Sequence, residues 1–114
     1  MENGGTTLNP NTRATAEHTN GYYVSLEGHE KRLPVSEDEY IFAAYLDRHI
    51  DRARHYNATN TGPIAYVGLW VDGNEIVFDL SLHIAIEIDA VVMGWENNQK
   101  AIFDIAKNQA INLL

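Results

Sequence analysis

Ser81 and His83 stand two residues apart in the stretch FDLSLHI, and on a strand they would share one face. A serine beside an imidazole is the smallest pairing for nucleophilic catalysis. Such a set exists only as spatial geometry, however, so the spacing alone reads as chance. Asp79 and Glu75 form a second candidate, because two carboxylates serve as acid and base when their surroundings split their pKa values. They would share a strand face two ladder pairs apart, with no nucleophile or metal to complete the set. Asp51 and His55, at i and i+4 on a helix, have the spacing of two metal ligands. The same spacing makes an ordinary surface ion pair, and the five scattered histidines supply no second ligand pair. Cysteine is absent, which removes thiol nucleophiles and thiolate metal sites. Gly4-Gly5 falls in a stretch that reads as a tail with no strand after it, so no phosphate loop is expected. No catalytic residue, no metal and no cofactor is expected.

A better candidate is a surface for binding. Ile64 to Val71 (IAYVGLWV) and Asn74 to Leu80 (NEIVFDL) flank Asp72-Gly73, the pair preferred in a two-residue type I′ turn. That turn would place Leu69 opposite Ile76 and Val67 opposite Phe78 on a core-facing side. The other side would carry Tyr66, Gly68, Trp70, Val77 and Asp79, with Ser81 at its end opposite Ile64. A glycine in mid-strand marks close approach by a ligand or another backbone. Tyr66 and Trp70 around it could stack on a flat ligand or anchor a partner. The structural alternative is a covered face on which Gly68 makes room for Trp70.

A third group, Asn98, Gln99 and Asp104, lies in ENNQKAIFDI. Asn97 and Asn98 fall where a helix must end, and asparagine tolerates the left-handed conformation that closes one. The competing reading is an amide pair that recognises a ligand beside Asp104.

These residues need elements to hold them. Residues 1–20 lack aromatic residues and are rich in Gly, Thr and Asn, which predicts a flexible tail ahead of a single domain over 21–114. Tyr22 to Leu26 suits a strand, Glu27-Gly28 a turn, and His29 to Leu33 a short edge strand coming back. Ser36 and Glu39 have the spacing of a capping box. Phe42, Leu46, His49, Ile50 and Ala53 follow at helical spacing, to an end near Tyr56. A second helix is expected over Ile86 to Glu96, with Ile88, Val92 and Trp95 on one face. Lys100 to Ile105 and Ala110 to Leu113 complete the chain as strands. The order ββ-α-ββ-α-ββ predicts an α+β domain: one antiparallel or mixed sheet of about six strands, with both helices on one face.

Sixteen acidic against eight basic residues give a net charge of −8, which argues against direct nucleic-acid binding. No apolar run approaches the roughly 20 residues that span a bilayer. The N-terminal stretch lacks the basic start and apolar core of a signal peptide, so the expected location is the cytoplasm.

Tyr66-Val67-Gly68-Leu69-Trp70, then Phe78-Asp79-Leu80-Ser81, then Asn98-Gln99-Lys100-Ala101-Ile102-Phe103-Asp104 resemble small uncharacterised proteins of actinobacterial genomes and their phages. The resemblance covers Tyr66 to Leu114, about half the chain, and carries no activity. It implies a phage or mobile-element setting and the host cytoplasm, where small acidic proteins often act by binding and blocking a host factor. The expectation is therefore a non-enzymatic binding protein, a phage-type accessory or inhibitor, that sequesters a host protein or a small ligand. A small enzyme acting on a nucleotide-like ligand and a virion accessory protein are the alternatives, and a homo-oligomer is open.

Overall fold

The computed structural model describes residues 5–114. Seven strands and two helices follow the chain as β1 (Thr6–Leu8), β2 (Tyr22–Ser25), β3 (Lys31–Pro34), α1 (Glu39–Thr59), β4 (Ala65–Asp72), β5 (Glu75–Ile84), α2 (Glu87–Glu96), β6 (Ala101–Asp104) and β7 (Gln109–Asn112). The strands form one sheet in the order β1-β4-β5-β2-β6-β7, with β3 also on β5, and every pairing is antiparallel. This is the expected single-sheet α+β fold, one strand richer. Both helices cover the same face: Ile50 and Ala53 of α1 and Ala90 of α2 join one core with Val24, Val67, Leu80, Leu82, Ile84 and Ile102.

The central hairpin turns one residue later than the Asp-Gly pair suggests. Asp72 pairs with Glu75, so the two-residue loop is Gly73-Asn74. Only Gly73 of the two has positive φ, at +61°, as the first position of a type II′ turn requires. Moving the loop by one residue slides the ladder by two, which keeps each side chain on its face but changes every partner. Gly68 thus faces Asp79, Tyr66 faces Ser81, and Trp70 faces Val77.

β2 and β3 are not a hairpin. Both run antiparallel to β5, one after the other along the same edge: Ser25 pairs with Ser81 and Lys31 with Phe78. Residues 26–30 therefore bulge out of the sheet opposite Asp79 and Leu80. His49 of α1 is wholly buried beneath the bulge, with its Nε2 2.8 Å from the His29 carbonyl and its Nδ1 2.8 Å from that of Tyr45.

Two further expectations change. First, β1 lies within the stretch expected to be a free tail. It pairs with β4 (Thr7 opposite Gly68), Pro10 is fully buried, and Arg54 donates to the Pro10 carbonyl at 2.8 Å. Local composition misses this because the ordering comes from a sheet edge about sixty residues away; residues 1–4 of that stretch lie outside the described residues. Second, α1 is capped by Asp38, whose Oδ1 accepts from the Tyr40 N–H at 2.7 Å, and not by Ser36; the helix runs on to Thr59. In α2, Ile88, Val92 and Trp95 share one face as expected, and it is the exposed one, while Ala90 and Gly94 turn inward. A Cβ on Gly94 would meet Leu113 at 2.5 Å and Ile102 at 3.0 Å, so the missing side chain lets the C-terminal segment pack against the helix.

Candidate functional site on the sheet face opposite the helices

Alternation along β4 and β5 sends Leu80, Leu82 and Val67 to the helices and Asp79, Ser81, His83, Gly68 and Tyr66 to the other side. Pairing with β2 and β6 adds Tyr23, Ser25 and Phe103 to that second side, since Tyr23 lies opposite both His83 and Phe103. The result is two adjoining clusters that share Tyr23.

The first cluster is centred on a carboxyl group. Asp79 is only 2% exposed, and its two oxygens accept from the Ser25 hydroxyl at 2.6 Å and the Ser81 hydroxyl at 2.9 Å. Among the described residues no cation is salt-bridged to it. Burial pushes its pKa up, and the two serine hydroxyls pull it part of the way back. Gly68 exists for this carboxyl: a Cβ there would sit 2.2 Å from Asp79 Oδ1 and 3.0 Å from Ser81 Oγ. The space that the sequence reading gave to Trp70 is filled by the acid.

Ser25 and Ser81 line a concavity of about 240 Å³ whose other walls include Tyr23, Trp70, Phe103 and Ala110. Both hydroxyls direct their protons at Asp79, so their lone pairs are left for whatever enters. The pocket has aromatic walls and an acceptor floor backed by an acid.

The second cluster is aromatic. His18, from the segment after β1, stacks on His83 with ring centres 3.8 Å apart and planes 8° from parallel. It meets Tyr66 edge-on at 4.9 Å, and its Nδ1 lies 2.7 Å from the Tyr23 hydroxyl. Burial and then the neighbouring His83 lower the His18 pKa, which favours a neutral ring able to accept from the phenol.

These contacts separate the catalytic candidates. Ser81 gives its proton to Asp79, while His83 Nε2 lies 3.0 Å from the Asn20 carbonyl, so the two are not a nucleophile and its base. Glu75 is bound to Arg32 at 3.4 Å at the exposed end of the hairpin, apart from buried Asp79. Among the described residues no group of three or more His, Asp or Glu side chains is arranged to hold a metal, and Asp51 and His55 are exposed on α1.

Of the residues singled out from sequence, Tyr66, Gly68, Trp70, Asp79 and Ser81 come together on this face. Asn98, Gln99 and Asp104 do not join them. Asn98 (φ +55°) closes α2: its N–H bonds the Trp95 carbonyl at 3.1 Å, and the Gln99 N–H bonds that of Gly94 at 2.9 Å. This is the Schellman pattern. The Gln99 amide donates to the Asn97 carbonyl at 3.0 Å, and the Asn98 amide holds Glu27 of the bulge. Asp104 pairs with Tyr22 on the helix side and accepts from the Lys107 N–H in the last turn at 3.2 Å.

Sequence reasoning missed Tyr23, Ser25, Phe103 and His18, and it considered His83 only as a base for Ser81. The alternation in YYVS and AIFD held a signal for the first three. His18 had none, because nothing local ties it to the sheet.

In comparisons with known proteins, no family model matches the chain, and no match is found among curated proteins or solved structures. No helix among the described residues is long and apolar enough to cross a membrane.

Proposed function

We propose that this is a non-enzymatic binding protein, a phage-type accessory that blocks a host factor by holding a planar, hydrogen-donating group between Tyr23, Trp70 and Phe103. The observation that carries this reading is the Ser25–Asp79–Ser81 arrangement at the pocket floor. An acceptor floor selects N–H donors, aromatic walls favour flat or cationic groups, and the buried acid adds attraction for positive charge. A guanidinium has all three properties. The volume of about 240 Å³ suits one such group, being below the roughly 300–1,000 Å³ of pockets that engulf a whole drug-sized ligand. The group can come from a partner's arginine or from a small ligand. The resemblance to phage proteins, with net charge −8, favours a basic site on a host protein.

Trp95→Phe leaves Trp70 as the only tryptophan, so its fluorescence reports on the pocket. In that background an arginine-rich peptide, free guanidinium and a free nucleobase are titrated separately. The arginine peptide is expected to shift Trp70 emission and to lose at least tenfold in affinity in Ser25→Ala; Trp70→Ala, which leaves no tryptophan in that background, is titrated by calorimetry and should lose at least as much. Binding should tighten as pH rises through the elevated Asp79 pKa, because a cation favours the ionised acid. A nucleobase that alone shifts the emission, without pH dependence, moves the reading to a small neutral ligand. Failure of every probe to shift the emission, or affinities unchanged in both variants, overturns it.

A further inference from the structure

The outer face of α2 has the wrong composition for a surface that meets water. From Glu87 to Glu96 the helix is apolar on nearly every side. Ala90 and Gly94 pack inward, with Val91 and Met93 partly covered beside them. Ile88, Val92 and Trp95 recur at i, i+4 and i+7 on the opposite side, where they are 62%, 42% and 57% exposed. A helix lying on a sheet ordinarily keeps its solvent side polar. The second half of α1 does so in this same molecule, with Asp47, Arg48, Asp51, Arg52, Arg54 and His55 exposed.

The stripe is held in place. The Trp95 indole N–H donates to the Leu113 carbonyl at 3.3 Å, which fixes the ring against the C-terminal segment while much of it stays in solvent. Leu114, 87% exposed, follows directly. A large aromatic side chain presented in one orientation has the character of an interface anchor.

The charges beside the stripe select its occupant. Glu87, Asp89 and Glu96 lie on this helix, and no basic residue occurs from Ile86 to Gln99. On a helical projection Asp89 and Glu96 fall on the same flank of the stripe. A second copy packed antiparallel across a twofold axis would set Asp89 against the other copy's Glu96 twice, acid against acid. A partner with basic flanks meets the opposite charge instead.

We propose that the outer face of α2 docks a basic amphipathic helix of another protein. Apolar side chains of the partner would pack against Ile88, Val92 and Trp95, and its Lys or Arg residues would face Glu87, Asp89 and Glu96. The proposal is independent of the pocket on the sheet face.

The probe is a synthetic helical peptide with leucines at i, i+4 and i+7 flanked by lysine alone, so that no guanidinium enters the pocket on the sheet face. A counterpart carries glutamate at every flanking position. Calorimetric titration is run at low and high salt on the wild type, Ile88→Ser, Val92→Ser and Trp70→Ala, with sedimentation of each protein alone. The basic peptide is expected to bind the wild type and Trp70→Ala alike, to weaken at least tenfold in Ile88→Ser and Val92→Ser, and to weaken with salt. The glutamate peptide should not bind. Because the substituted side chains are exposed, both serine variants should keep the wild-type circular dichroism and melting temperature. Equal binding of the two peptides, binding by neither, or affinities unaltered in both serine variants overturns the proposal. So does a wild-type dimer that Val92→Ser dissociates, which would make the occupant a second copy.

Discussion

The two faces of the β4–β5 hairpin are built from alternate residues of the same strands, and both are buried at their centre, yet they obey different rules. On the helix side, Val67, Leu80 and Leu82 meet Ile50 and Ala53 in an apolar cluster, with His49 buried at its edge against Phe78. On the other side, equally inaccessible positions hold Asp79 and Ser81. The first face contributes through area removed from water and tolerates hydrophobic exchange of similar volume. The second depends on each polar atom finding its partner, and on one missing Cβ that leaves room for a carboxylate. Burial by itself therefore does not separate scaffold from site. What separates them is whether a buried position loses free energy by being polar.

The largest effect is expected on the apolar face. Leu80→Ala should cost about 2–5 kcal/mol, the range for a leucine removed from a packed core. Chemical denaturation measures it, and a loss comparable to that of an exposed residue would show that the helices do not seal this side.

Gly68→Ala comes next, at about 1–3 kcal/mol, because the new methyl enters the space of the Asp79 carboxyl. The double variant Gly68→Ala/Asp79→Ala should recover part of that loss, a non-additivity visible in a denaturation cycle. Strict additivity would mean that the glycine serves something other than the acid.

Asp79→Asn sharpens the contrast through pH. The folded-state pKa of Asp79 is raised above its ordinary 3.8, so the folded protein holds this proton more tightly than the unfolded chain does. The stability it contributes is full below 3.8 and is lost as pH rises through the elevated value. Asparagine stays neutral and can bond both serines. Its melting temperature should exceed that of wild type at pH 7, with the gap closing as pH falls toward 4. A gap that widens in acid would show that the carboxylate is stabilised in the fold.

The smallest effect is expected outside both faces. Asn98 has φ +55°, which glycine adopts without strain, so Asn98→Gly should change stability by only a few tenths of a kcal/mol. The exposed Asn98–Glu27 contact is too weak to change that expectation. A loss as large as that of Gly68→Ala would make the helix end part of the functional surface.

Most elements were legible because they rest on short-range chemistry. Strand alternation in YVGLW and IVFDL, a glycine turn between them, helical spacing from Phe42 to Ala53 and an asparagine at the end of α2 each follow from a few adjacent residues. Face assignment on β4 and β5 was legible too, since a slide of two residues leaves it unchanged. This is why Tyr66, Gly68, Trp70 and Asp79 were found as a group.

What the sequence could not settle were choices between partners that are locally equivalent. Asp72-Gly73 and Gly73-Asn74 both make a two-residue turn, and only the ladder of the whole hairpin decides that Gly68 faces Asp79. Glu27-Gly28 permits a hairpin as readily as a bulge, and the length of β5 decides for the bulge by offering β2 and β3 one continuous edge. α2 has apolar residues all round, so its inward face was set by Gly94, the site where the C-terminal segment comes closest. The segment holding His18 contains no apolar pattern of its own; it is ordered by the edge of β4 and by the ring of His83, both far along the chain. Periodicity reports the environment of a residue along its own element, whereas register, edge pairing and helix rotation are decided by the free energy of contacts between elements, which local spacing does not encode.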